Sequence, residues 1–279
     1  MAGSIGNSVA LVKASVNVLK LDKELLVFPV LSGIASVLVM GSFIAPIVLA
    51  GGTGVIEEGG SGYLPMAVMF LFYVVQYTVI FFFNSALVGA ALIRLEGGDP
   101  TVSDGLAIAS KRMGSIIGYA VISATVGMIL NMISERGGII AKIAAGLAGM
   151  AWTLATYLAV PVLVTKDIGP IDAVKESAAI FKRTWGEQVT GNFGIGWAMM
   201  LAFLGWTAAM AGMIWLTGSL GSPVLVVPVI GVGLAGYVLL ALVGSALGGI
   251  YRAALYRYAM TGDTGYFDPA IMGNAFRPK

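Results

Sequence analysis

A chain of 279 residues in which 58% are apolar and only 11% charged has more hydrophobic surface than a soluble fold can bury, soluble domains being about a quarter charged. Its net charge of +2 and the lack of a basic block argue against a nucleic-acid partner. Cysteine and histidine are both absent, which removes disulfides, thiolate chemistry, histidine-ligated metal or haem and the commonest general base, and no cofactor or metal is expected.

The first residues, Met1 to Asn7, lack the basic segment, short apolar core and cleavage site of a signal peptide, so insertion is expected to begin with the first spanning helix. Across Ser8 to Lys20, apolar Ile5, Val9, Val12, Val16 and Leu19 recur at steps of three and four, opposite Lys13, Asn17, Lys20 and Glu24. That period predicts an amphipathic helix lying in the headgroup plane; a cytosolic extension of the first span is the alternative. The pattern returns later. Lys13-x-Ser15-x-x-Val18-Leu19-Lys20 is matched by Lys175-x-Ser177-x-x-Ile180-Phe181-Lys182, with a fainter copy at Asp104 to Arg112. Each copy precedes a long apolar run, so the three read as interfacial elbows that lead pairs of helices into a bilayer.

Leu25 to Ala50 is free of charge and long enough to cross roughly 30 Å of hydrocarbon, with Pro29 and Pro46 near its ends, where a missing donor costs least. The acidic, glycine-rich loop Gly51 to Gly62 is expected to face away from the cytosol. Tyr63 to Leu95 forms the second run, about 50 Å long as one helix, with Gln76 and Asn84 its strongly polar side chains at depth. Such amides either mark a substrate path or bond to a neighbouring helix. The loop Gly97-Gly98-Asp99-Pro100-Thr101-x-x-Asp104 stops that helix with glycine and proline. Thr101 and Asp104 have the spacing of a capping box for the next one.

The third span, Gly114 to Ile133, opens with Gly114-x-x-x-Gly118, a spacing for close helix approach, and holds Asn131 near its outer end. The fourth, Ile139 to Val164, has Ala145-x-x-x-Gly149 on one face and a kink or end at Pro161. Pro170 suits the first turn of the third elbow, where Ile171, Val174, Ala178 and Phe181 face away from Lys175, Lys182 and Arg183; Trp185 follows as an interface residue. The fifth span is Phe193 to Leu216, and Gly218 to Pro223 makes a turn. The sixth begins near Val224, has Gly244-x-x-x-Gly248 for packing, and ends in Tyr251, Arg252, Tyr256, Arg257 and Tyr258, an aromatic and basic anchor at headgroup level.

The expected fold is therefore an all-α membrane protein of six transmembrane helices, built as three repeats of elbow plus hairpin over about 5–95, 100–164 and 170–260. It forms a single membrane domain, 1–263, followed by a polar cytosolic tail, 264–279. Of the 16 lysines and arginines, only Arg136 and Lys142 fall on the side of the Gly51–Gly62 loop, so positive-inside bias puts elbows and both termini in the cytosol, in the cell membrane.

The stretches Leu21–Pro29, Phe83–Leu92, Gly97–Leu106, Ser123–Gly127, Val160–Val164 and Phe181–Glu187 together resemble a family of uncharacterised prokaryotic integral membrane proteins, a domain of unknown function. The likeness covers roughly Ser8 to Asp263. It implies a bacterial or archaeal six-span protein and brings no catalytic residue.

For function, span centres without Asp, Glu, Lys or Arg count against ion coupling. A channel or permease for a small solute would draw on Gln76, Asn84, Asn131, Thr153 and Thr156. An enzyme at the cytosolic face would need Asp99, Asp104, Asp167, Asp172 or Glu187, in which no metal cluster or nucleophile motif is visible. The reading that uses most features is a non-enzymatic, membrane-organising protein. Lys13, Lys20, Lys111, Arg112, Lys182, Arg183, Arg252 and Arg257 would contact lipid headgroups, although positive-inside topology alone would place the same cations there. Gly114, Gly118, Gly149, Gly244 and Gly248 would pack spans against one another. The partners are membrane lipids and either a second copy of the chain or another membrane protein.

Overall fold

The computed structural model describes residues 2–49, 63–185, 194–219 and 226–267. The loop at Gly51–Gly62, most of the turn before Pro223, Glu187, the side chains of Ile5 and Trp185, and the tail beyond 267 lie outside the described residues. Among those described, the chain is all helical, with no strand. Helix α1 is Ala2–Leu21, followed by a 3-10 turn at Lys23–Leu26; α2 is Val27–Leu49, α3 Tyr63–Leu95, α4 Val102–Lys111 and α5 Met113–Arg136. Then come α6 Gly138–Ala155, α7 Ala159–Thr165, α8 Pro170–Trp185, α9 Gly194–Ser219 and α10 Val226–Thr261. Six segments are long and apolar enough to cross a membrane: Lys23–Leu49, Tyr63–Leu95, Met113–Arg136, Gly138–Thr165, Ala198–Ser219 and Val226–Thr261. The expected spans agree with these to within a few residues, and the sixth runs on through Tyr251–Tyr258 as one helix.

Helix α3 is the central post, packed against α2, α4, α5, α7 and α10. Its last three turns explain this. Ser85, Ala86, Gly89, Ala90 and Ala91 are small and buried, so neighbouring helices come close on several sides. A Cβ added to Gly89 would lie 2.9 Å from Ile108, and one on Gly249 would lie 2.4 Å from Leu87. The first turns of α3 are exposed. The core is thus concentrated at one end of the bundle, with Leu25, Phe28, Ile116, Leu158, Leu163, Leu247, Ile250 and Leu255 filling it. At the opposite end Leu49, Tyr63, Ile139 and Ile140 stand out from the bundle.

Helices α1, α4 and α8 wrap the core end, each against long helices other than the pair that follows it. Helix α4 lies on α3, α8 on α6 and α7, and α1 on α9 and α10. Contact runs along lines on which small side chains alternate with larger ones. Leu11, Ser15, Val18 and Leu19 are buried on α1, Gly105 and Ala109 on α4, and Ala173, Ser177 and Ile180 on α8. Of the stripe that the period picks out, Leu19 is buried while Val9 and Ile171 remain 57% and 59% exposed. The small residues let a helix axis come within backbone contact distance: a Cβ on Gly105 would sit 2.5 Å from the Phe28 ring and 2.7 Å from the Ala86 carbonyl oxygen.

The fourth span is interrupted near the proline where a kink or end is expected. It breaks at Thr156–Leu158, ahead of Pro161, which lies inside α7. A proline ring clashes with the carbonyl four residues earlier, here Tyr157, so the interruption falls one turn before the proline. The boundary of the tail also shifts. Phe267 is 3% exposed and packs on the Tyr251 ring at 6.5 Å, so the first residues after Asp263 belong to the core end.

Candidate functional site

The sequence-predicted polar and basic residues gather at the core end, where they divide into tied and untied groups. The chain leaves α3 through a Schellman turn: Gly98 N–H donates to the Ile93 carbonyl and Gly97 N–H to that of Arg94, both 3.0 Å, with Gly97 at φ +90°. Thr101 then caps α4. Its hydroxyl accepts from Asp104 N–H at 3.2 Å, and the Asp104 carboxylate accepts from Thr101 N–H at 2.9 Å, a complete capping box. The Thr101 hydroxyl, donating to the Asp104 carboxylate at 2.7 Å, and then the Thr101 N–H hold the Asp104 carboxyl below its ordinary range.

The turn is locked to the first elbow. Arg94 donates from Nε and Nη2 to Asp22 Oδ2, both at 3.3 Å, and pairs with Asp99. Asp22 also accepts from Glu24 N–H, capping the 3-10 turn, while Glu24 Oε2 accepts from Val102 N–H at 2.8 Å. Burial holds the Asp22 carboxyl above its usual range although Arg94 pulls the other way. Parallel ties close the other two hairpin ends. Arg112 pairs with Asp167, and Lys166 with Glu176 at 2.6 Å, a hydrogen bond that raises the lysine. Arg257 donates to the Leu95 carbonyl and pairs with Asp263 at 2.5 Å.

These ties decide which predicted cations are available. Lys13, Lys20, Lys111 and Lys182 are exposed and, among the described residues, form no ion pair. Arg112 and Arg257 are structural clamps, Arg183 donates to the Ala259 carbonyl at 3.4 Å, and half-buried Arg252 donates from Nε to the Gly248 carbonyl one turn back on its own helix at 3.1 Å. The acids named for a cytosolic-face enzyme do not converge. Each is engaged separately, Asp99 by Arg94, Asp104 by Thr101, Asp167 by Arg112 and Asp172 by Lys175 at 3.3 Å.

The intramembrane amides part company. Asn131 is exposed and donates to Glu135 one turn along its own helix at 2.8 Å, Asn84 is half-buried, and Gln76 has a buried Oε1 without a hydrogen-bond partner. Of the packing glycines, Gly118 would meet Pro170 of α8 at 2.8 Å, Gly244 Met199 at 2.8 Å and Gly149 Leu130 at 3.7 Å. Gly114 faces open space, and Gly248 would meet only Arg252 of its own helix. Neither closes a helix pair, because spacing alone does not say which face is turned inward. Gly89, Gly105, Gly236 and Gly249 make the tight approaches instead, Gly236 with its Cβ position 2.1 Å from Trp206.

One feature is invisible in the sequence. At the break in the fourth span, Leu158 N–H donates to the buried Ser177 hydroxyl on α8 at 3.0 Å. Ser177 was singled out by the repeated signature, and its counterpart Ser15 is equally buried. The shared serines mark where elbows seat on the bundle.

A family model, "Family of unknown function (DUF6159)", matches residues 63–266, a stretch that starts later than Ser8. No curated protein and no solved structure matches the chain.

Proposed function

The chain belongs to the DUF6159 family, whose function is unknown, and we propose that it is a non-enzymatic, multi-pass protein of the cytoplasmic membrane that binds anionic lipid through three interfacial helices. The carrying observation is that Lys13, Lys20, Lys111 and Lys182, from α1, α4 and α8, are exposed without ion pairs among the described residues at one end of a bundle of apolar helices. Each such cation near an anionic surface contributes about 1 kcal/mol. The exposed Val9 and Ile171 on the same helices give the apolar face that an interfacial helix lays into acyl chains. Elbows and termini face the cytosol by the distribution of lysine and arginine. The three elbow-hairpin units are supported by the matching serines and by the way each elbow seats on another hairpin.

The test is lipid binding by the full-length protein in nanodiscs of phosphatidylcholine with graded phosphatidylglycerol. Replacing all four lysines by glutamine should remove most of the preference for phosphatidylglycerol near the protein; an unchanged preference in a correctly inserted variant would refute the reading. A channel or permease draws on two observations, the interrupted fourth span and the buried Gln76 Oε1 without a hydrogen-bond partner. Solute flux in sealed proteoliposomes would favour it.

A further inference from the structure

The break in the fourth span has the build of a joint. Helix α6 ends at Ala155 and α7 begins at Ala159. Between them the backbone tightens: Tyr157 N–H donates to the Leu154 carbonyl at 3.3 Å and Ala159 N–H to that of Thr156 at 3.0 Å, both three residues back, the pattern of a 3-10 turn. A regular α-helix would give Leu158 N–H the Leu154 carbonyl, four residues back. Instead that donor leaves its own span and is taken by Ser177 Oγ on α8 at 3.0 Å. Leu158 N–H therefore has two acceptors to choose between, one belonging to a bent span and the other to a straight one.

The two halves of the span are held unequally. Helix α7 is buried from Ala159 to Leu163 and packs on α3, α8 and α10. Helix α8 grips it at both ends, through Ser177 at Leu158 and through Glu176, which pairs with Lys166 at 2.6 Å. Helix α6 packs on α5 and α8, but of its 18 residues only Ala145 is buried, and Ile139, Ile140, Ile143, Leu147 and Met150 are all at least 59% exposed. Few buried contacts resist its movement. The first elbow shows that seating such a helix does not itself require the hydroxyl bond. Ser15 stands between Leu11 and Val18 on α1 as Ser177 stands between Ala173 and Ile180 on α8, all six buried, yet Ser15 Oγ has no hydrogen-bond partner. Helix α10, on which α1 lies, runs unbroken from Val226 to Thr261. A small residue is enough to seat an elbow, and the Ser177 hydroxyl has the added task of holding Leu158 out of helical register.

We propose that Thr156–Leu158 is a hinge about which α6 turns against a fixed α7, and that the Ser177 hydroxyl is its latch. With Leu158 N–H on Ser177 the span is bent. With that bond moved to the Leu154 carbonyl the span straightens, and α6 changes its angle to the central post α3. The Pro161 ring, which opposes the straight form at the Tyr157 carbonyl, and the latch act in the same direction, so releasing either favours the straight form. A turn of about 20° at the hinge moves the far end of this 18-residue helix, about 27 Å long, by about 9 Å. The hinge lies within the fourth span and does not rest on lipid binding by the elbows.

The chain has no cysteine, so full-length protein in phosphatidylcholine nanodiscs can carry spin labels at Leu64→Cys on α3 and Ile140→Cys on α6, both exposed at the end opposite the core. Their separation is read by pulsed electron paramagnetic resonance. Adding Ser177→Ala should shift the main distance by about 5 Å or more, half of the full swing of the lever. Ser15→Ala, the matched change on α1, should leave it where it is, and a control pair at Val48→Cys and Leu64→Cys, on α2 and α3, should not move. Ser177→Ala that lowers the melting temperature with the Leu64–Ile140 distance unchanged makes the serine a merely structural contact and overturns the hinge, as does an equal shift in Ser15→Ala or in the control pair. If Ser177→Ala does not stay monodisperse, Pro161→Ala decides: a second distance supports the hinge and a single unchanged distance overturns it.

Discussion

Asp22 and Arg94 show how a single pair can set the register of two segments far apart in sequence. Asp22 is 3% exposed at its side chain, and a buried pair that loses one partner leaves an uncompensated charge costing about 3 kcal/mol. Arg94→Leu should therefore destabilise the protein by about that much at neutral pH, read as thermal unfolding in detergent. The pH dependence has a definite sign. Burial already raises the Asp22 carboxyl, and removing Arg94 takes away an influence that lowers it. The penalty should shrink on acidification as Asp22 takes up a proton; a penalty independent of pH would show that Asp22 is not the source. Glycines make the same point through volume. Gly105→Ala places a methyl against the Phe28 ring and the Ala86 carbonyl, and Gly249→Ala one against Leu87. Each should cost about 1–3 kcal/mol by overpacking. Gly114→Ala, in open space, should be neutral or slightly stabilising.

At the level of helices, local signals in the sequence were reliable where the chain itself supplies both partners. The capping box of α4 and the glycine stop of α3 both form, since three or four residues contain the whole interaction. The stabilisation from Asp104 has a pH window that follows from its depressed carboxyl: it is present above the ordinary aspartate range and lost as the pH falls through the lower folded value. Asp104→Asn should flatten that acid limb of the unfolding curve. The break in the fourth span behaves differently, because its polar partner comes from another helix. Ser177→Ala removes the acceptor for Leu158 N–H and should cost about 1–3 kcal/mol, the price of an unsatisfied buried donor. Pro161→Ala in the same chain should recover part of that loss, since without the ring clash Leu158 N–H can reach the Leu154 carbonyl. No recovery would mean that the break is imposed by packing rather than by the proline.

Across the whole molecule, the first elbow closes the structure by lying on α9 and α10, helices from the far end of the chain. Removing residues 2–21 should loosen that hairpin selectively, giving faster proteolysis within α9 and α10 than within α2 or α3. Topology can be tested directly, since the chain has no cysteine. Ser110→Cys should react with a membrane-impermeant thiol reagent only from the cytosolic side and Ile139→Cys only from the opposite side. The reverse pattern would overturn the orientation inferred from charge.

Six long apolar segments, the helices α1, α4 and α8, and the capping box of α4 were written in the sequence, because hydropathy, period and turn chemistry are properties of neighbouring residues. Which face of each elbow turns inward was not, because contact is decided by how closely two backbones can approach, and the buried lines pair small Ser15 with Leu11 and Val18, and small Ser177 with Ala173 and Ile180, leaving Val9 and Ile171 of the predicted stripe exposed. The same holds for the cations. Lys20 and Arg94 look alike in sequence, yet one is left in the open and the other is tied to Asp22. Arg252 reads as a headgroup anchor, yet its Nε is held by the Gly248 carbonyl of its own helix. Only the tertiary structure brings a carboxylate, or none, to each positive charge, since partners such as Asp22 for Arg94 and Asp167 for Arg112 come from distant segments.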